Sequence, residues 1–406
     1  MTPEWTRNKK ILLGISGGIA AYKTAELVRA WVKAGCEVET ILTDMAANLV
    51  SPLTLSTLSK RRVWRDEDLR SDENGWRIPH ISLAEWCDAF VVAPCTANVL
   101  RAAAHADSGT LLGATMLAHP QPILFFPAMN VNMWNNPATR RNVRLLQEAG
   151  HRVVDPDAGP LACGYEGKGR LPSTEAILDE TWAILCPQRD FAGKKVLITA
   201  GPTHEYIDPV RFISNPSSGK MGYALAAEAY CRGAEVVLVS GPTSERAPSG
   251  VRLLRVTSAL EMLDACLAEC GDADVVVKAA AVGDYRARSY AAQKIKRSGD
   301  ATLDLVANPD IAREISARRH PGQVVVGFAA ETENVRENAL RKIEAKGLDL
   351  IVANDVSRPG DGFASDTNTV RVYLSPAHGG TESAPISGSK RAVASGILDC
   401  VARLSG

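Results

Sequence analysis

One local pattern occurs twice in this 406-residue chain. The stretches KKILLGISGGIAAYKTAELVRAWVKAGCEVETILTD (9–44) and KKVLITAGPTHEYIDPVRFISNPSSGKMGYALAAEAYCRGAEVVLVSGP (194–242) share it. Each reads as an apolar strand, a Gly/Ser-rich turn, a helix ending near glycine, and a second apolar strand. Strands that stay apolar without alternating need cover on both faces, which is the condition of a parallel sheet. A helix joining two of them makes a right-handed βαβ unit. A new unit opening at mid-chain starts a second sheet, so the pattern predicts an α/β protein of two domains. The polar Pro/Gly break CPQRDFAGK (186–194) separates them, and the boundary is expected to leave 1–190 and 191–406.

Further strands are expected at 89–93 and 122–126 in the first half, and at 274–279, 323–327 and 350–353 in the second. Two regions, 158–172 and 284–299, read as irregular loops of the kind that carry function. Lysine plus arginine equals aspartate plus glutamate at 46 each. A neutral chain has no electrostatic drive toward nucleic acid or an anionic membrane. No apolar run approaches the roughly 20 residues of a membrane span. MTPEWTRNKK leads straight into a strand without a signal peptide, so a cytoplasmic enzyme is expected. The nine cysteines are odd in number and contain no CxxC pair. They fit reduced thiols better than a disulfide scaffold or a structural zinc site.

Ligands of open α/β sheets sit beyond the carboxyl ends of the strands, so segments that close strands matter most. SGGIAAYK (16–23) lets backbone N–H groups approach a phosphate, although tight packing also demands small residues there and GxGxxG is absent. Thr43 and Asp44 end the next strand, where an NAD enzyme would keep an acid for the ribose. VVAPCTANVL (91–100) offers Thr96 and Asn98 to a phosphate or a ring. FFPAMNVNMW (125–134) offers Asn130, whose amide suits a carboxylate and which in isolation reads first as a helix cap. His80 in RIPHISLAEW and Cys163 in ACGYEGKGR are the titratable candidates; alone, each has a bland reading as a capping histidine and an inert thiol.

Taken in order, SGGIAAYK, PHISL, APCTAN, PAMN and ACGYEGKGR resemble the flavoprotein family that contains phosphopantothenoylcysteine decarboxylase. The resemblance implies a flavodoxin-like flavoprotein domain holding FMN through Gly17, Gly18, Ile19, Thr43, Cys95, Thr96, Ala97, Asn98 and Ala128. It implies His80 as the active-site histidine, Asn130 on the substrate carboxylate with Met133 beside it, and Cys163 as proton donor in the reductive step. The chemistry needs such groups. A cysteine carboxylate has no electron sink until flavin oxidises the thiol to a thioaldehyde, after which an acid must return a proton. Ser82 stands where the family often has glutamate, and 101–113 is less Gly/Asp-patterned than usual.

DPVRFISNPSSGKMG (208–222) resembles the phosphopantothenate–cysteine ligase signature. It is not a P-loop, because Ser214 and Met221 occupy the required Gly and Ser/Thr positions. AAAVGDYR (279–286), KIKR (294–297), NPDI (308–311), VGFAAET (326–332) and ANDV (353–356) continue the pattern, so the resemblance covers nearly the whole chain. It implies a Rossmann-like ligase domain. CTP contacts fall on Lys278, Ala279, Ala280, Asp284, Lys294, Pro309, Asp310, Ile311, Ala312, Phe328, Lys342 and Lys346. Arg211, Asn215 and Ala281 match the cysteine-transfer half. Lys278 departs from the family, where a small residue is commoner, and KIKR by itself reads as a solvated face. Mg²⁺ is expected with CTP, its ligands unassigned. Lysines and the metal neutralise the triphosphate so that a carboxylate can attack the α-phosphate, and the cysteine amine then opens the acyl-cytidylate.

Two rival readings are an NAD(P)-dependent reductase and a flavin-binding regulatory subunit. The missing GxGxxG opposes the first; the presence of both His80 and Cys163 with a complete ligase half opposes the second. The resemblance further implies a homo-oligomer of trimeric decarboxylase units joined through ligase dimers, up to a dodecamer, acting on 4′-phosphopantothenate, cysteine and CTP.

Overall fold

The computed structural model describes residues 2–70, 78–160, 164–297, 299–331, 333–355 and 365–405. They form two compact units, Thr2–Leu185 and Cys186–Gly406.

The first unit is built on six parallel strands: β1 (Lys10–Ile15), β2 (Glu37–Leu42), β3 (Val63–Arg65), β4 (Ala89–Cys95), β5 (Leu124–Pro127) and β6 (Arg152–Val153). Their order is β3-β2-β1-β4-β5-β6. This is the doubly wound Rossmann order, in keeping with the open parallel α/β sheet expected. β4 is buried along its whole length, as a central parallel strand covered on both faces must be. One face packs Leu12, Phe90, Val92 and Phe125 against Trp134 and Leu112. Much of the region expected to be irregular, 158–172, is paired strand among the described residues. β7 (Asp157–Pro160) and β8 (Glu166–Arg170) pair as an antiparallel ribbon, and the Gly169 carbonyl accepts from the Met129 N–H.

Two histidines lie in this core. His119 is buried, its Nδ1 2.9 Å from the Ala84 carbonyl and its ring edge-on to Phe90. Its Nε2 has no partner among the described residues. His151 accepts the Ile123 N–H on Nδ1 and stands edge-on to Phe125. Burial lowers the pKa of both, and the charge of His119 lowers that of His151 further. A folded pKa below the ordinary value of about 6.5 means that the unfolded chain takes up protons first. Stability from these two groups is therefore full above about pH 6.5 and is lost as pH falls through and below that value. Thermal unfolding of the first unit should shift downward between about pH 7 and 5, and His119→Gln should flatten part of that slope. An unchanged slope in that variant would remove His119 from the account.

The second unit repeats the order. Its strands are β9 (Lys195–Ala200), β10 (Glu205–Tyr206), β11 (Phe212–Ile213), β12 (Glu235–Ser240), β13 (Arg252–Arg255), β14 (Val275–Lys278), β15 (Tyr285–Ala287), β16 (Leu305–Ala307), β17 (Val324–Glu331), β18 (Leu350–Asp355), β19 (Thr367–Leu374) and β20 (Ile386–Ser389). The main sheet runs β13-β12-β9-β14-β17-β18-β19-β20. Its first six members are parallel, and β19 and β20 add an antiparallel edge that the purely parallel expectation did not contain. Short ribbons β10–β11 and β15–β16 stand outside it, β15 lying within the 284–299 region expected to be irregular. Gly222 lets the helix Lys220–Cys231 lie close on β9. A Cβ there would come within 2.5 Å of the Ala200 side chain and 2.9 Å of the Thr199 carbonyl.

Asp190, which the sequence break assigned to the first half, is tied into this unit. Arg232 is fully buried, donating from Nε to Asp190 at 2.8 Å and from Nη1 to Asp399 at 2.8 Å. Its second bond to Asp190 makes the contact bidentate. A fragment beginning at Phe191 would lack this partner. A fragment beginning at Cys186 should therefore unfold at higher urea than one beginning at Phe191, by about 1–3 kcal/mol, the cost of stranding part of a buried donor set. Equal midpoints would show that Asp399 alone satisfies Arg232.

Candidate functional site

In each sheet the order reverses between its first and fourth strands, which opens a crevice beyond their carboxyl ends. The same device closes both crevices. Ser16, following β1, donates its hydroxyl to the Pro94 carbonyl at 2.7 Å and accepts the Thr96 N–H at 2.9 Å. Thr199, in β9, accepts the Ala280 N–H on Oγ1 at 3.1 Å. A small hydroxyl residue thus binds the two loops at each switch point.

In the first unit, Gly17, Gly18, Ile19, Thr43, Thr96, Ala97, Asn98 and Ala128 all sit at the ends of β1, β2, β4 and β5. Gly18 keeps the cleft open: a Cβ there would stand 3.4 Å from Thr96 Cγ2 and 3.9 Å from the Ala128 carbonyl oxygen. Thr43 caps a short helix, accepting from Ala46 at 3.4 Å, whereas the Thr96 hydroxyl makes no capping bond at the start of Ala97–Ala104. Cys95 is fully buried, burial pushes its thiol pKa far up, and Sγ donates weakly to the Thr96 carbonyl at 3.7 Å, so the side chain acts as a buried filler. Asn130 does cap: its Oδ1 accepts the Asn132 N–H at 2.8 Å. Met133 is half-exposed on the same short helix, Val131–Asn135. His80 occupies the first turn of the helix Pro79–Trp86, where its Nδ1 is buried with no partner among the described residues. Ser82 Oγ turns back onto the Pro79 carbonyl, so at this departure the side chain serves its own helix. Cys163 lies outside the described residues.

In the second unit a cavity of about 590 Å³ opens beyond β14 and β17. Eleven of the twelve residues expected around CTP line it: Lys278, Ala279, Ala280, Asp284, Pro309, Asp310, Ile311, Ala312, Phe328, Lys342 and Lys346. Asn215 and Ala281 line it too, joined by bonds from Asn215 Nδ2 to the Ala281 and Val282 carbonyls at 3.1 and 3.2 Å. Asp310 caps the helix Ile311–Ser316 and pairs with Lys346 at 3.0 Å, which holds its carboxyl below the usual range despite partial burial. Lys294 and Arg211 do not line the cavity. Lys294 is exposed, and its neighbour Ile295 is fixed by Asp208 and by Arg211 Nη2, each at 3.1 Å. Lys220, Asn354, Asn368 and Lys390 also line the cavity and were not anticipated as site residues. Lys220 and Asn354 lie inside motifs that were read, SSGKMG and ANDV; Asn368 on β19 and Lys390 at the start of the helix Lys390–Ala402 belong to no motif.

Comparison with known proteins finds a family match for each unit. Residues 2–185 match the family model "Flavoprotein", and 191–404 match "DNA/pantothenate metabolism flavoprotein C-terminal domain". The chain is 43% identical to the coenzyme A biosynthesis bifunctional protein CoaBC of Bacillus subtilis (strain 168), over 98% of each chain. It belongs to this family of bifunctional coenzyme A biosynthesis enzymes. The protein CoaBC of Vibrio vulnificus (strain CMCP6) is also 43% identical over 98% of each chain. The solved C-terminal domain of a CoaBC protein is 39% identical with a TM-score of 0.44, covering 53% of this chain and 98% of that one. The family unites a flavoprotein decarboxylase domain and a ligase domain, which places an enzyme site in each unit. No helix among the described residues is long and apolar enough to cross a membrane.

Proposed function

We propose that the second unit joins cysteine to 4′-phosphopantothenate at the expense of CTP with Mg²⁺, and that the first unit, holding FMN, decarboxylates the product to 4′-phosphopantetheine. The observation that carries this reading is the gathering of the nucleotide residues, from separate stretches of the sequence, around one cavity at the sheet's switch point. Lysines 342 and 346 bring positive charge to that cavity. They would offset a triphosphate while a carboxylate attacks the α-phosphate. Asn215, braced on two carbonyls, would hold the acyl-cytidylate for the cysteine amine.

The first crevice fits a flavin mononucleotide. Gly18 leaves a cradle that a Cβ would fill, and the loops of Gly17, Thr43, Thr96 and Ala128 surround it. When bound, the flavin supplies a two-electron acceptor for the substrate thiol. The chain's own part is positional and protic. Asn130 would orient the leaving carboxylate, His80 would move or hold a proton through its unpartnered Nδ1, and Cys163 would return a proton at the end. Small-molecule substrates account for both sites, and a homo-oligomer of decarboxylase trimers and ligase dimers belongs to the same proposal.

The test is incubation of the full chain with 4′-phosphopantothenate, cysteine, CTP and Mg²⁺, followed by mass spectrometry. Phosphopantetheine with loss of carbon dioxide is expected, and the flavin released on denaturation should be FMN. Product that stops at phosphopantothenoylcysteine from a protein that takes up no FMN would overturn the decarboxylase half; no cysteine adduct with CTP would overturn the ligase half.

A further inference from the structure

Lys278 has surroundings that are unusual for a lysine. It ends β14, between Thr199 of β9 and Gly327 of β17 in register. Only 8% of it is exposed, yet it lines the nucleotide cavity. Among the described residues its amine has one hydrogen-bond partner, Thr199 Oγ1 at 3.3 Å. The groups facing it come from every neighbouring element. These are Thr199 on β9, the buried Cys266 thiol on the helix Ala259–Glu269, Asp310 at its helix cap, and Lys346 on Val335–Lys346. Asp310 is the one carboxylate of the set, and Lys346 already holds it at 3.0 Å.

An ammonium in that position would be buried beside two neutral groups and an already paired acid, with most of its donors unmet. A neutral amine has no charge to desolvate and so loses less there, while Nζ donates to Thr199 Oγ1, which also accepts the Ala280 N–H. Burial acts in the same direction, drawing the Lys278 pKa down from the usual lysine value; Cys266 and Asp310 oppose this weakly, and Lys346 reinforces it.

Resting on the nucleotide reading of this cavity, we propose that Lys278 is a proton-coupled positioning residue: uncharged in the empty site, it takes up one proton from solution as a phosphate-bearing ligand binds, and so becomes the buried cation that seats it. The balance is simple, since Lys–NH₂ plus a solvent proton gives Lys–NH₃⁺ against the incoming phosphate. No bond to the ligand forms or breaks.

Calorimetric titration of the full chain with CTP in two buffers of different ionisation enthalpy tests this without any variant. At about pH 8, well above the value of about 6 at which a terminal phosphate loses its last proton, the ligand contributes little. Uptake of close to one proton per CTP is expected, with affinity falling up to about tenfold per pH unit as pH rises. Cytidine, which lacks the phosphates, should bind with no uptake. Lys278→Met and the milder Thr199→Val give the second measurement. The first should abolish uptake and flatten the pH dependence while weaker CTP binding persists, and the second should reduce the uptake. CTP binding without proton uptake in the unsubstituted chain overturns the proposal and leaves the nucleotide site standing. Absence of CTP binding overturns both.

Discussion

His80→Asn should stop carbon dioxide release from phosphopantothenoylcysteine, slowing it by about 10²–10⁴-fold, the usual worth of a positioned proton-transfer group. The expectation follows from His80 Nδ1, which the fold leaves buried and without a partner among the described residues. An asparagine keeps the size of the side chain but cannot take up a proton. Cys163→Ser should give a different failure. Carbon dioxide should still be released, and the enethiol should accumulate, because a serine hydroxyl is a far weaker acid than a thiol. Following carbon dioxide and thiol product separately distinguishes the two. Complete loss of both steps in both variants would refute the division of roles.

In the second unit, Asn215→Asp should let pyrophosphate form from phosphopantothenate and CTP while the acyl-cytidylate persists in the presence of cysteine. The amide now donates to two carbonyl oxygens, at 3.1 and 3.2 Å. An aspartate would face them with negative charge and swing away, and misplacement of about 1 Å costs on the order of 10²-fold in aminolysis. Lys294→Gln should instead slow pyrophosphate release by about 10²–10³-fold if its charge reaches the triphosphate. Its exposed position makes this the sharper risk. Unchanged formation of the intermediate would leave KIKR as a solvated face pinned by Asp208 and Arg211.

Much of this arrangement was readable in the chain. Both βαβ openings and the central strands follow from unbroken apolar runs such as Val275–Lys278, because burial on both faces permits little else. The crevice residues followed for the same reason: loops that close central strands must meet at the switch point. What escaped had no local signature. β19 and β20 alternate burial on a sheet edge, so their membership is decided by pairing and not by composition. The ribbon β7–β8 is made of glycines and charged residues that resemble a loop, and its register is set by partner strand and by Met129. Asn130 takes the bland role that it offered in isolation, since its Oδ1 caps a helix. Lys278 was noticed only as a departure; its burial depends on a strand 79 positions earlier in sequence.

The antiparallel edge of the second sheet carries a consequence for synthesis. Asn368 on β19 and Lys390 at the start of the helix Lys390–Ala402, which help to wall the cavity of the second unit, arrive last, after nearly the whole chain exists. A nascent polypeptide emerging in order therefore has a finished first crevice long before it has a finished second one. The step that consumes phosphopantothenoylcysteine is assembled before the step that makes it. A ribosome-bound chain, or one ended prematurely before β19, would carry the decarboxylase domain beside a ligase domain whose cavity is not yet walled.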